Sequence, residues 1–142
     1  MSHFVPALKL THEGALALLD LAVEAATRIS VPQCIAIVDE GCNLLAFVRM
    51  SSARVLSIES ATAKAMTAAT TGQPTGQLSP DKAVLLAEAT KGRMTNLRGG
   101  LPIIIKDHVV GGIGVGSGTS EQDVEIAQAA ITAFAASLAS AT

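Results

Sequence analysis

The sequence predicts an α+β domain, an antiparallel sheet covered by helices. Three observations carry that expectation. The periodic segments run helix, hairpin, helix, helix, hairpin, helix, and hairpins make antiparallel neighbours. The strand-like runs are apolar at successive positions, so at least one strand is covered on two faces. Of 142 residues, 49% are hydrophobic and 15% charged, which excludes intrinsic disorder and puts residues 1–142 at the common size of one domain. A chain of this length buries roughly 70% of its unfolded surface, so it needs no disulfide or metal to hold a core. Few charges on so apolar a chain also point to surface hidden in a homo-oligomer, a dimer or higher.

Residues 1–10 read as a lead-in, with Pro6 blocking an early helix. Thr11 caps the first helix, in which Ala15, Leu18, Ala22, Ala25 and Ile29 repeat at helical spacing and Glu13, Asp20, Glu24 and Arg28 form the wet stripe. Ser30-Val31-Pro32 ends it. Cys34 to Asp39 and Leu44 to Met50 are strand-like, joined by the turn residues Glu40-Gly41-Cys42-Asn43. Ser57 to Thr71 is a helix of small residues, broken at Gly72-Gln73-Pro74. Ser79-Pro80-Asp81 starts a third helix, running to about Lys91 or Met94 with Val84, Leu85 and Ala89 inward. Leu97 to Pro102 reads as a loop, Ile103 to Lys106 as a strand, Asp107-His108 as a turn, and Val109 to Gly116 as a glycine-rich strand. Thr119 and Gln122 form a capping box for a last helix reaching about Ala139.

Ten basic and twelve acidic residues leave a formal charge of −2, with no cationic stripe, and three Phe without Trp or Tyr provide no stacking platform. Nucleic acid is therefore not an expected partner. The apolar runs are short and interrupted, so no membrane span is expected. No charged segment followed by an apolar one opens the chain, so no secretory leader is expected and cytoplasm is the expected compartment. Cys34 and Cys42 match no zinc spacing and read as free thiols.

Three segments together, IAIVDEGCNLLAFVRM, SIESATAKAMTAATTGQPT and RGGLPIIIKDHVVGGIGVGSGTSEQD, resemble the GlcG/HbpS family, which includes the C-terminal domain of PduO-type proteins. The resemblance covers about residues 8–140. It implies a profilin-like antiparallel sheet with helices on both faces and dimers that assemble further. It implies little about chemistry: some members bind haem, and some accompany glycolate or diol metabolism. The glycine-rich segment in such proteins helps shape a pocket at a subunit interface.

Within that frame, the candidate residues favour an anionic ligand. Ser57, Ser60, Lys64, Thr67 and Thr71 step by three and four, so they share one helix face. One ammonium among small hydroxyls makes an anion-recognition stripe for a carboxylate or propionate; the plain alternative is a solvated face. Arg49, at the end of the second strand, is a carboxylate clamp or a rim charge. Backbone amides at Gly99, Gly100 and the turn into Pro102 can hold an oxyanion, or merely set the path into the strand. The glycines at 111, 112, 114 and 116 match neither a dinucleotide loop nor a Walker loop, so they allow a strand, ligand or subunit to come close. Asp123 is a general base, an Arg partner or helix-capping support.

Of the three histidines, His12 is the candidate for a haem iron, against the plainer reading of a half-buried imidazole; His3 lies in the lead-in and His108 in a turn. No His/Asp/Glu cluster has metal spacing.

The expected function is binding of a small anionic ligand, with haem suggested by the family alone. The pocket lies between subunits and is built from Arg49, Ser57, Ser60, Lys64, Gly99, Gly100, Pro102 and Gly114. An alternative is a catabolic lyase or isomerase acting on a small organic acid, with Lys64 or Asp123 as base and the Gly99-Gly100 amides stabilising an enolate. A third is a non-catalytic assembly or accessory protein.

Overall fold

The computed structural model describes residues 2–140. Helix α1 spans His12–Arg28, strands β1 and β2 Cys34–Asp39 and Leu44–Arg49, helices α2 and α3 Ser57–Thr71 and Pro80–Ala89, strands β3 and β4 Gly100–Ile105 and His108–Gly116, and helix α4 Ser120–Ser140. Two hairpins form one four-stranded sheet in the order β2-β1-β4-β3, antiparallel throughout.

The local chemistry accounts for the ends. Thr11 accepts a hydrogen bond from Gly14 N at 3.1 Å and opens α1. Thr119 N donates to Gln122 Oε1 at 2.9 Å and Gln122 N to Thr119 Oγ1 at 3.2 Å, the reciprocal box that opens α4. Gly72 closes α2 in the left-handed region, its N–H donating to Ala68 O.

The sheet separates two cores. On one face Ile35, Ile37, Ile113 and Val115 pack against Leu18 and Ala22 of α1 and Ile126 and Ala130 of α4. On the other, Cys34, Ala36 and Val38 meet Ala61, Ala65 and Ala69 of α2. Strand β1 alternates between these cores and is buried from Cys34 to Val38, as its unbroken apolar run predicts.

Helix α2 lies unusually close to the sheet. A Cβ added at Gly112 would collide with Ala65 O, one at Gly114 with Ala61 O, and one at Gly100 with Lys64 O. The close approach allowed by the glycines is thus taken by this chain's own helix, and Gly100 and Gly114 face α2 rather than open space.

Three local expectations change. The run from Gly100 to Pro102 is already strand, because its residues pair with Gly114, Ile113 and Gly112 of β4. The tight turn before β4 is Lys106-Asp107, both at positive φ, and His108 begins the strand. Helix α3 has no buried residue: Val84 and Leu85 are each 66% exposed and Ala89 is also exposed, because α3 stands outside both cores.

Candidate functional site

Lys64 and Asp123 meet under the surface, although 59 residues separate them. Lys64 Nζ donates to Asp123 Oδ2 at 3.0 Å and to Val115 O at 2.8 Å, while Asp123 Oδ1 accepts from Gly118 N at 3.0 Å. The residues are 4% and 3% exposed. Gly99 lies directly over the pair; a Cβ there would stand 3.1 Å from Nζ and 2.6 Å from Val115 O. The ammonium is therefore balanced by an internal carboxylate instead of waiting for an anion.

The other sequence candidates do not converge on it. Arg49 is exposed on edge strand β2, its guanidinium donating to Ala53 O at 3.3 Å. Gly100 and Pro102 lie on the opposite edge strand, three spacings or about 14 Å away. Gly100 N donates to Thr75 Oγ1 at 2.9 Å, so this amide is taken. Ser57 is buried, and Ser60 Oγ donates to Ser57 O at 3.4 Å. Thr67 is buried too, donating to Ala63 O and accepting from Thr95 N, which pins the segment after α3 onto α2. His12 is exposed, not half-buried, on α1, across the sheet from α2.

Sequence reasoning missed two features. Gln33 is fully buried and neither amide atom has a hydrogen-bond partner. The second is an open groove on the outer side of α2. Lys91 and Gly92, at φ 57° and 79°, turn the chain sharply after α3. Thr90 Oγ1 accepts from Met94 N at 2.9 Å, and Asn96 clasps Leu78 through its side-chain amide, donating to Leu78 O and accepting from Leu78 N. This pinned segment forms one wall and α2 the other. The groove has a volume of about 470 Å³; Ile58, Ala63 and Met66 supply apolar lining, and Glu59, Lys91 and Arg93 supply charge. A hollow of about 180 Å³ shares Met66 and Arg93 with it and adds Cys42 and Met94. The signal in the sequence was the Lys91-Gly92-Arg93 triplet past the end of α3, two cations around a residue suited to a turn.

Both cysteines are free thiols. Burial pushes the Cys34 thiol above its ordinary value, partly opposed by the Arg49 guanidinium. Burial likewise raises Cys42, opposed by Arg93 and reinforced by Asp39. Among the described residues no group of three His, Cys, Asp or Glu is placed to hold a metal ion, and no helix is long and apolar enough to cross a membrane.

Comparison with known proteins sets this geometry in a family. A 15.0 kDa protein from the dhaT-dhaS intergenic region of Citrobacter freundii is 37% identical over 119 residues, 80% of this chain and 84% of the relative. Among solved structures, Klebsiella pneumoniae ORFY superposes with a TM-score of 0.88 at 31% identity, covering 96% of this chain and 97% of that one. A PduOC:heme complex superposes with a TM-score of 0.80 at 31% identity, covering 89% and 95%. The family model described as haem degrading protein, HbpS-like, matches residues 10–132. The match over residues 10–132 and the superposition over 96% of the chain agree: this chain belongs to the HbpS-like family.

Proposed function

We propose that this protein binds haem in the groove between α2 and the Lys91–Arg93 turn. The carrying observation is that groove: an apolar lining from Ile58, Ala63 and Met66 beside two cations, Lys91 and Arg93, which outnumber the one carboxylate there, Glu59. A porphyrin needs an apolar slot for its ring and cations for its two propionates. Bound haem supplies a redox-active iron. The chain's own residues shield the ring with α2 side chains, hold the propionates with Lys91 and Arg93, and offer the Met66 thioether beside the ring. The family description and the PduOC:heme relative support the same ligand.

A second copy completes the pocket on this reading. Ile58 lines the groove, while Val55 and Leu56 just before it are 60% and 75% exposed, an apolar surface suited to a subunit contact. The Lys64–Asp123 pair supports this function by holding α2 in place, each group bound to the other and to backbone.

Titration of hemin into the protein tests the proposal. A saturable Soret band with one haem per chain is expected. The double variant Lys91→Glu/Arg93→Glu is expected to weaken binding at least tenfold. No Soret perturbation would refute haem binding, and unchanged affinity in the double variant would refute this location.

A further inference from the structure

We propose that Cys42, Met66 and Met94 form a soft-metal site that takes one monovalent copper ion. Three sulfur-bearing residues from three separate segments line one hollow of about 180 Å³, together with Thr70, Thr90 and Arg93. Cys42 comes from the β1–β2 turn, Met66 from α2, and Met94 from the segment after α3. No carboxylate or imidazole lines this hollow, so it offers nothing to a hard cation beyond two hydroxyls. Thiolate and thioether donors select monovalent copper.

Each sulfur is carried by a fixed piece of backbone. Asp39 Oδ1 accepts from Gly41 N at 3.0 Å and from Asn43 N at 2.9 Å, and Cys42 N donates to Asp39 O at 3.0 Å. The turn therefore holds Cys42 against α2, where its thiol donates to Met66 O at 3.4 Å. Met94 is tied by its N–H to Thr90 Oγ1. Unbranched Met side chains have three rotatable bonds, enough to bring their sulfurs onto an ion without moving the backbone.

The chemistry balances without a redox step. The Cys42 thiol releases its proton to solvent and the thiolate bonds the ion. The two thioethers donate lone pairs, and copper stays monovalent. A thiolate and a monovalent cation sum to zero, so no net charge is added beside Arg93. Burial raises the Cys42 thiol and the Arg93 guanidinium only partly opposes that rise, so it is the bound ion that must draw off the proton. The proposal does not rest on the haem reading, but the hollow shares Met66 and Arg93 with the larger groove, so one chain is not expected to hold copper and haem at once.

An anaerobic competition titration against a chromogenic chelator of monovalent copper tests it, using the full chain. The protein is expected to withdraw one equivalent from the chelator. Cys42→Ser is expected to abolish this, and Met66→Leu/Met94→Leu to weaken it at least tenfold while keeping the apolar bulk and the circular dichroism spectrum. Cys34→Ala is expected to retain the full equivalent, since Cys34 lies buried in the core between β1 and α2. Failure to withdraw copper overturns the proposal, as does undiminished uptake by the double Met variant or loss of uptake in Cys34→Ala.

Discussion

The Lys64 ammonium and the Asp123 carboxylate stand 3.0 Å apart beneath the surface, joining α2 to the first turn of α4 across the end of β4. Each also binds backbone, Lys64 at Val115 O and Asp123 at Gly118 N. A buried pair of this kind is weak evidence of net stabilisation, because both ions lose their hydration, but removing one partner strands the other charge. Asp123→Ala is therefore expected to cost about 3–5 kcal/mol in urea unfolding. Lys64→Met/Asp123→Leu should recover most of that loss. A single variant as stable as the parent would show that the pair does not carry the junction.

The glycine stripe makes a second, contrasting prediction. A methyl at Gly114 would press on Ala61 O and would stand 2.5 Å from Ala65 N, atoms of helix backbone that cannot swing aside. Gly114→Ala is expected to destabilise the fold by about 1–3 kcal/mol or more, as overpacking does. Gly92 has nothing within 4 Å of the same added atom and meets only the penalty of its positive φ. Gly92→Ala should cost about 1 kcal/mol. Thermal unfolding of the two variants side by side checks the order.

Cys34 sets a pH dependence with a defined sign. Burial raises its folded-state value above 9.0, the value taken for the unfolded thiol. Below that value both states hold the proton and the full stability is present. Above it the unfolded chain releases the proton first, so stability falls as the pH rises through the folded value. Unfolding free energies measured from pH 8 upward should decline for the parent, and Cys34→Ala should flatten the Cys34 part of that decline. The same thiol should react slowly with a disulfide reagent in the folded protein and fast in denaturant.

The groove predicts a salt effect. Lys91 and Arg93 are both exposed, so their attraction for propionates is screened by ions. Hemin affinity is expected to fall as salt is raised, and Lys91→Ala/Arg93→Ala should make it nearly independent of salt. An equal salt slope in both proteins would place the propionates elsewhere.

How far these features were legible in the sequence depends on how far apart their parts lie. The Thr119–Gln122 box, the Thr11 cap and the unbroken apolar run of β1 are read from neighbours a few residues apart, and all appear in the structure. Lys64 and Asp123 were both visible as candidates, yet their pairing was not, because the contact spans 59 residues and depends on where α4 docks. The glycines at 111, 112, 114 and 116 announced a close approach without saying what approaches; packing supplies α2 at Gly112 and Gly114. The amphipathic pattern of α3 promised an inward face, but an apolar stripe is buried only if something lies opposite it, and α3 projects away from both cores. The groove beside Lys91 and Arg93 is likewise a property of two segments meeting, pinned by Thr67 and Asn96. Hydrogen bonds and hydrophobic periods acting over one or two turns are written in adjacent residues. Charge pairing, cavities and exposure arise between distant segments, so they take their values when the chain packs.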